Sequence, residues 1–304
     1  MASLLNDAPV NTIAVRLTNW VGDCVMNTPF LARLRSIFPD ARIVCVGRKN
    51  VAGLLQSHPH VDDVWTIDDK STGGFFDAAK RLRGLHADMG FLLPNSLKSA
   101  SLFVAGRVKR RVGYDRDGRR LFLTHPITLR PEDLAVHEAK YYLRLLHDWE
   151  SKPAEPPPLL LTLTDDERRG MNEWLAQEGV GADDFVIGVN PAAFFGTAKR
   201  WPADRFATVA SEIAATRKAV VVVTGLAQEK DVAQAVCDAG SGARFVNAAG
   251  RMSLRQLMAF LARCQLFLTN DSGAMHIAAA LGTPLVAVFG STDWVTTAPL
   301  STRA

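Results

Sequence analysis

Short apolar runs alternate with stretches of helical periodicity along the whole chain. In the first half, short runs predict strands at residues 13–17, 42–46, 64–67 and 89–93. Between and after them, apolar residues three or four positions apart predict helices at residues 28–38, 50–57, 75–85 and 136–149. Strands that alternate with helices in this way predict an α/β fold built on a parallel sheet.

The second half repeats the alternation. Strands are predicted at residues 185–189, 219–224, 244–246, 266–268 and 285–289, and helices at 165–178, 203–216, 229–239, 253–263 and 274–281. The run AVVVVT at 219–224 is continuously apolar, as expected for a parallel strand that is covered on both faces. Thr164 and Glu167 have the spacing of a capping box, which predicts that a helix begins there.

A Pro-rich segment, SKPAEPPP at residues 151–158, separates the two halves. A chain of 304 residues also exceeds the usual size of one hydrophobic core. We therefore expect an N-terminal domain at 1–150, a linker at 151–160 and a C-terminal domain at 161–304. Both domains are expected to be Rossmann-like, doubly wound parallel sheets, with ligands bound at the carboxyl ends of their strands in the cleft between them.

Charge is concentrated in the first half, where residues 1–150 hold 21 Lys and Arg against 16 Asp and Glu. The densest cluster is GRVKRRVGYDRDGRR at 106–120. Such a cluster suits an anionic partner, whether nucleic acid, a phosphorylated glycolipid or a membrane surface, and a plain solvated face is the alternative.

Three features of the sequence indicate the cellular location of the protein. The four cysteines form no CxxC pair, which is typical of buried thiols in a reducing compartment. No apolar run approaches the roughly 20 residues of a membrane span, and the start MASLLNDAPVNT has no secretion signal pattern. We therefore expect a cytoplasmic location.

The loop after the first predicted strand, RLTNWVGD at 16–23, ends in an acidic residue. It has a single glycine and so lacks the GxGxxG dinucleotide fingerprint. Asp23 at the start of the following helix has two interpretations: a helix cap or a general base.

Two further loops follow strands of the second half. The segment VNPAAFFGTAKRWP at 189–202 carries Lys199, either a phosphate contact or a surface lysine. The segment TNDSG at 269–273 precedes a helix whose N–H groups and dipole favour an anion, while Asp271 could also cap that helix. A base opposite an anion site suits transfer from a phosphate leaving group to a hydroxyl. No HExxH, P-loop or GxSxG pattern is present, and the positions of the acidic residues give no clear DxD metal site.

In combination these segments resemble glycosyltransferase family 9. The resemblance rests on NWVGD at 19–23, AKRWP at 198–202 and TNDSG at 269–273 with Met275 and His276, and it extends through LGTP at 281–284 and FGSTD at 289–293. The NW start and the AKRWP form look most like the type II heptosyltransferases of that family. The resemblance implies a GT-B fold and an inverting, metal-independent transfer of heptose from ADP-heptose to the lipopolysaccharide inner core, without a cofactor, at the inner face of the inner membrane.

The resemblance also implies roles for individual residues. Asp23 would be the catalytic base and Lys199 would contact the departing diphosphate, which the N–H groups of Ser272 and Gly273 would hold. The remaining expected donor contacts are Thr197, Glu229 to ribose, Met252 against adenine, Asp271 to sugar hydroxyls, and His276. Expected acceptor contacts are Asn19, Trp20, Arg110, Arg111, Arg119 and Arg120.

The sequence also fits two alternative functions. One is another family 9 transferase, of type I or III, and the other is a sugar-nucleotide-binding protein with weak or no transferase activity. Departures from the family pattern are Ala192, where glycine is frequent, and Trp294, where proline is common. Family members usually continue with a helical segment beyond the position of Ala304 that returns to the first domain, so we expect looser domain closure and weak turnover here.

Overall fold

The computed structural model describes residues 9–149, 155–193 and 197–301. The chain divides into two compact units, residues 1–158 and 159–304. Each unit is a parallel sheet with helices on its faces, which confirms the predicted fold class. Of the predicted linker at 151–160, residues 151–154 lie outside the described residues.

The sheet of the first unit has six strands. They are β1 (Thr12–Arg16), β2 (Arg42–Arg48), β3 (Asp63–Ile67), β4 (Met89–Leu92), β5 (Arg110–Tyr114) and β6 (His125–Ile127). Their order is β3-β2-β1-β4-β5-β6, and all neighbouring pairs are parallel. The order reverses between β1 and β4, so the loops after these two strands diverge at the carboxyl edge of the sheet, where such sheets bind ligands.

Among the described residues of this unit, six α-helices cover the two faces of the sheet. They are α1 (Val21–Met26), α2 (Thr28–Ile37), α3 (Lys49–Ala52), α4 (Thr72–Leu85), α5 (Leu97–Ala105) and α6 (Glu138–Leu143). Because βαβ crossovers are right-handed, the reversal of strand order places α4 and α5 on the face opposite α1–α3. Contacts of α2 with α6 and of α4 with α5 agree with this division.

The structure differs from the sequence prediction at four elements of this unit. Helix α5 and strands β5 and β6 were not predicted. Strand β5 begins with two arginines, and the guanidinium of Arg111 is satisfied by the carbonyl oxygens of Phe122 and Val108. The predicted single helix at 136–149 is also wrong as one element, because α6 ends at Leu143 and a 3₁₀ segment, Arg144–Trp149, follows.

The second sheet has five parallel strands. They are β7 (Val186–Asn190), β8 (Val220–Val223), β9 (Arg244–Asn247), β10 (Leu266–Asn270) and β11 (Leu285–Val288). Their order is β11-β10-β7-β8-β9, so the reversal lies between β7 and β10. All residues of β7 and β8 are buried, as their apolar composition predicts for strands covered on both faces.

Within residues 159–193 and 197–301, six α-helices accompany the second sheet. They are α7 (Asp165–Gln177), α8 (Ala203–Arg217), α9 (Lys230–Ala239), α10 (Leu254–Arg263), α11 (Gly273–Ala280) and α12 (Trp294–Thr297). The predicted capping box at the start of α7 is confirmed, since Thr164 and Glu167 each accept from the other's backbone N–H. Within the described residues, no helix has both the length and the apolar character that crossing a membrane requires.

Candidate active site

Helix α11 starts at the carboxyl edge of the second sheet, directly after β10. It is made of small and apolar residues, and every one from Ala274 to Ala280 is buried. Ser272 occupies the N-cap position with extended backbone, and its side chain makes no cap hydrogen bond. Asp271 is therefore not the N-cap residue. The N–H group of Met275 donates to the carbonyl oxygen of Ser272, whereas those of Ser272 and Gly273 are placed to bind an anion.

Lys199 and Asp271 form an ion pair beside this helix start. Lys199 Nζ donates to Asp271 Oδ2 at 2.8 Å, and the two side chains are 20% and 8% exposed. The lysine comes from the 3₁₀ turn Thr197–Lys199 and the aspartate from the end of β10. The pair neutralises a carboxylate that would otherwise repel an anion bound at α11.

Asn270 fixes the loop that carries Lys199. Its side chain is fully buried; Nδ2 donates to the carbonyl oxygen of Pro191 at 2.8 Å, and Oδ1 accepts from the N–H of Trp201 at 2.9 Å. One side chain thus ties both ends of the segment 191–201 to the end of β10. Sequence analysis did not assign this role to Asn270, although it noted the residue in TNDSG.

A second amide, Asn190, lies beside the helix start at the end of β7. Its Nδ2 donates to Ser272 Oγ at 3.3 Å, and Ser272 Oγ also lies 3.1 Å from Thr269 Oγ1. Asn190 Oδ1 is buried and has no hydrogen-bond partner among the described residues. An orphaned buried acceptor is costly, so this oxygen is suited to accept a hydrogen bond from a ligand.

Gly290 allows the loop after β11 to approach the Lys199 turn. A Cβ at this position would lie 2.6 Å from the carbonyl oxygen of Ala198, well inside van der Waals contact. Any larger residue would therefore push the two backbones apart. This close approach explains why glycine stands in the FGSTD segment.

The other predicted donor contacts also follow strands of the second sheet. Glu229 follows β8 and is half-buried; its Oε2 accepts from the N–H of Leu226 at 2.6 Å. Met252 follows β9 and is half-buried, whereas His276 is buried within α11. Thr197 begins the Lys199 turn, and its side chain lies outside what the structure describes.

Asp23 lies in the first turn of α1, in the first unit. Trp20 is the N-cap residue and its side chain makes no cap hydrogen bond, so Asp23 is not at the N-cap position. Burial raises the pKa of Asp23 from 3.8 to about 6. The carboxylate of Asp23 accepts a hydrogen bond from its own backbone N–H, which lowers its pKa less than burial raises it. The pKa of Tyr142, in α6, is raised chiefly because Tyr142 is buried, and next because of the negative charge of Asp23. A carboxyl with a raised pKa near neutrality suits proton transfer.

Arg16, which sequence analysis missed, supports the loop that leads to Asp23. It ends β1, is 1% exposed, and through Nη2 donates to Asn19 Oδ1 at 3.0 Å and to Asp69 Oδ2 at 2.8 Å. Arg48 adds a second bond to Asp69 at 2.6 Å. Burial would raise the pKa of Asp69, but the hydrogen bonds from the two arginines outweigh it and lower that pKa.

The basic cluster at 106–120 separates into internal and exposed arginines. Arg119 is fully buried; Nε donates to the carbonyl oxygen of Tyr114 at 2.7 Å and Nη2 to Asn95 Oδ1 at 2.9 Å. Arg120 is exposed and pairs with Asp115 at 2.8 Å, and Arg110 is half-buried. The side chains of Arg119 and Asn19 thus already form hydrogen bonds within the first unit, and their expected acceptor contacts stay predictions.

Among residues 9–149, 155–193 and 197–301, no three His, Cys, Asp or Glu side chains are grouped so as to hold a metal ion.

Comparisons with known proteins agree on one family. Residues 75–304 match the model of glycosyltransferase family 9 (heptosyltransferase). The chain is 30% identical to lipooligosaccharide heptosyltransferase 2 of Haemophilus influenzae, over 94% of this chain and 85% of that protein. It is 30% identical to lipopolysaccharide heptosyltransferase 2 of Escherichia coli, over 94% and 84%. The solved structure of E. coli ADP-heptose LPS heptosyltransferase II matches with a TM-score of 0.84 and 28% identity, over 96% and 89%.

The buried ion pair of Arg16 predicts a large loss of stability when the arginine is removed. Arg16→Met leaves Asp69 buried with one cation in place of two, so unfolding free energy should fall by about 3 kcal/mol or more. Chemical denaturation at pH 7 measures this. The matched control is Arg42→Met, which breaks the exposed pair with Asp63 in the same sheet and should cost less than about 1 kcal/mol.

The stability lost in Arg16→Met should depend on pH, because folding changes the pKa of Asp69. The pKa of Asp69 is lowered in the fold, so its contribution is present above the ordinary Asp pKa and is lost as pH falls through the folded value. Wild type should therefore lose more stability than Arg16→Met between about pH 5 and pH 2. Equal losses in the two proteins, or an Arg42→Met effect as large as that of Arg16→Met, would contradict a structural role for this pair.

Proposed function

The chain belongs to glycosyltransferase family 9, and we propose that it moves L-glycero-D-manno-heptose from ADP-heptose to the inner core of lipopolysaccharide. The type II heptosyltransferases among its relatives support this donor and this acceptor. We further propose that the transfer inverts the anomeric carbon and uses no metal ion or other cofactor. The observation that carries the chemistry is Lys199 held at 2.8 Å from Asp271 beside the uncapped start of α11.

This start of α11 would stabilise the departing diphosphate. The N–H groups of Ser272 and Gly273 and the positive end of the helix dipole would hold the phosphate oxygens. Lys199 would turn part of its charge from Asp271 to the β-phosphate as negative charge develops there. Fixed positive groups aimed at a leaving group act most strongly in the transition state, which is the role a metal ion has in other transferases.

Asp23 would act as the general base. In a single displacement, the acceptor hydroxyl oxygen forms the new bond to the anomeric carbon, the bond from that carbon to the phosphate oxygen breaks, and ADP leaves. The hydroxyl proton passes to Asp23. A pKa of about 6 leaves this carboxylate mostly ionised at neutral pH, yet more basic than an ordinary aspartate.

The remaining residues would bind the two ends of the donor. We propose that Met252 packs on adenine, that Glu229 accepts from ribose through the carboxylate oxygen not used by Leu226, and that Thr197 and His276 complete the pocket. Asp271 would face sugar hydroxyls from beside Lys199. Asn190 is an addition from the structure, because its orphaned Oδ1 is suited to accept from a donor hydroxyl.

For the acceptor we propose Trp20, Arg110, Arg111 and Arg120. Trp20 is 46% exposed beside Asp23, a position from which its ring can pack against a sugar face. The arginines would attract the acidic inner core. We also propose that the enzyme works in the cytoplasm, at the inner face of the inner membrane, where a lipid-linked acceptor is available.

An assay with defined acceptors tests the proposal. The protein is incubated with ADP-heptose and inner cores that carry no, one or two heptoses, and products are identified by mass. We expect one heptose to be added to the one-heptose acceptor, with release of ADP. Transfer to the heptose-free or two-heptose core instead would indicate type I or III, and tight ADP-heptose binding without transfer would indicate a binding protein.

The base assignment predicts a specific kinetic defect. Asp23→Asn should lower kcat by roughly two to four orders of magnitude with nearly unchanged ADP-heptose binding. In wild type, log kcat/KM should fall with unit slope below about pH 6, and this limb should disappear in the variant.

Stability separates this defect from unfolding. Because the pKa of Asp23 is raised in the fold, its ionised form opposes folding, and this cost grows as pH rises through the folded pKa. Asp23→Asn should therefore be at least as stable as wild type at pH 8. Near-normal turnover in the variant would remove Asp23 from the mechanism.

The leaving-group assignment predicts a different pattern for Lys199. Lys199→Ala should lower kcat more than donor affinity, because its charge matters most as the diphosphate departs. Arg200→Ala is the matched control: this neighbouring cation donates to the carbonyl oxygen of Ala193 and should affect kcat less. The idea fails if both variants transfer heptose at wild-type rates.

The acceptor assignment predicts an effect on KM that depends on salt. Arg110→Gln with Arg120→Gln should raise the acceptor KM severalfold at low salt, and the double variant should be less salt-sensitive than wild type. Arg42→Gln, on β2 in the other half of the sheet, serves as control. An unchanged acceptor KM at low salt would identify the cluster as a solvated face.

A further inference from the structure

One face of the first sheet is covered by α4, α5 and the 3₁₀ turn Arg119–Phe122. The two helices lie side by side. Arg83 at the end of α4 donates to the carbonyl oxygen of Ala105 at 3.0 Å, and Lys98 at the start of α5 donates to that of Lys70 at 3.3 Å. Their outward surfaces therefore form one continuous layer.

This layer exposes large apolar side chains although its inner side is already apolar. The inner residues Ala78, Leu82, Leu102 and Phe103 belong to the core of the unit. The outer surface nevertheless presents four apolar residues, which we name the docking face: Phe76 is 64% exposed, Leu97 46%, Val104 39% and Leu121 92%. Core packing explains none of the four, and apolar side chains shared by one surface indicate a contact.

Leu121 is held outward by a rigid turn. On one side of it, Arg119 is anchored inside the protein by the carbonyl oxygen of Tyr114 and the amide of Asn95. On the other side, the carbonyl oxygen of Phe122 accepts from Arg111 at 2.7 Å. These bonds hold the residues on both sides of Leu121 in place, and Leu121 itself is exposed.

Four cations around the docking face lack acidic partners. Lys80, Arg83, Lys98 and Arg107 are exposed, and none forms an ion pair with any residue that the structure describes. Farther away in the same unit, the exposed cations Arg42 and Lys109 each have an aspartate partner. Arg120, next to Leu121 in the turn, also pairs with Asp115. Helix α4 has a single acid, Asp77, and α5 has none. The layer therefore combines unpaired positive charge with apolar side chains.

We propose that the docking face binds the surface of an anionic lipid bilayer. The apolar side chains would enter the interface and the four cations would contact anionic headgroups, the two components of interfacial binding. Nucleic acid fits the cations but leaves the apolar residues unexplained. Helices α4 and α5 begin at the carboxyl edge of the sheet, the edge where Asp23 follows β1. The consequence for catalysis rests on the proposed function: the contact would keep the base, Asp23, near a lipid-linked acceptor.

Vesicle flotation with the full chain tests the proposal. Wild type should bind vesicles of phosphatidylcholine with phosphatidylglycerol and not vesicles of phosphatidylcholine alone. Leu97→Ser with Leu121→Ser should weaken binding at least about tenfold, as should Lys80→Gln with Lys98→Gln. Leu134→Ser is the matched control, because this leucine is 52% exposed outside the docking face.

Each other outcome overturns the proposal. Equal binding to both vesicle types would show that anionic headgroups are not recognised. Loss of vesicle binding in the lysine variant alone would show that the apolar side chains do not contribute. Loss in Leu134→Ser equal to that in the leucine variant would deny a specific surface. Transfer to a water-soluble core oligosaccharide, measured in parallel, should be unchanged in both docking-face variants. Absence of that transfer in wild type would refute the proposed function and leave the vesicle result standing.

Discussion

The ion pair between Lys199 and Asp271 is the interaction on which the site in the second unit depends. A carboxylate next to a diphosphate site would repel its ligand unless a cation stood beside it. The pair needs both partners to be held in place, and Asn270 does this by tying Pro191 and Trp201 to the end of β10. Gly290 lets the neighbouring loop close on the same turn. The cation at the start of α11 is thus set by backbone contacts before any donor binds.

The first unit contains two carboxylates whose pKa values are shifted in opposite directions. Asp69 is buried between Arg16 and Arg48, whose hydrogen bonds lower its pKa. Burial also acts on Asp23, which no cation bonds, and its pKa rises to about 6. Carboxylates whose pKa values are shifted apart suit different tasks. Asp69 stays an anion and organises loops, whereas Asp23 can exchange a proton near neutral pH. The end of β1 takes part in both environments. Its last residue, Arg16, bonds to Asp69, and the loop that follows it leads to Asp23.

Local signals in the sequence predicted most of the elements, and long-range pairings set the limit. The apolar strand at 219–224 and the capping box of Thr164 and Glu167 depend only on neighbouring residues, so their prediction was confirmed. Strand β5 was missed because it begins with two arginines, whose charge does not indicate a strand, and the carbonyl oxygens of Phe122 and Val108 that satisfy Arg111 are set by the fold. For the same reason the roles of Arg16 and Asn270 could not be predicted: Asp69 and Pro191 are distant in sequence. Leu121 gave no signal either, because a single leucine in a basic segment does not reveal its exposure.

The most direct test of the account is a double-mutant cycle on Lys199 and Asp271, read as the single-turnover rate of heptose transfer from ADP-heptose. Lys199→Met, Asp271→Asn and the double variant are compared with wild type at saturating donor. If the pair acts as one unit, the effects are not additive, and the coupling free energy is about 1 kcal/mol or more. Additive effects would show that the two side chains act independently, and would contradict the central role of their contact.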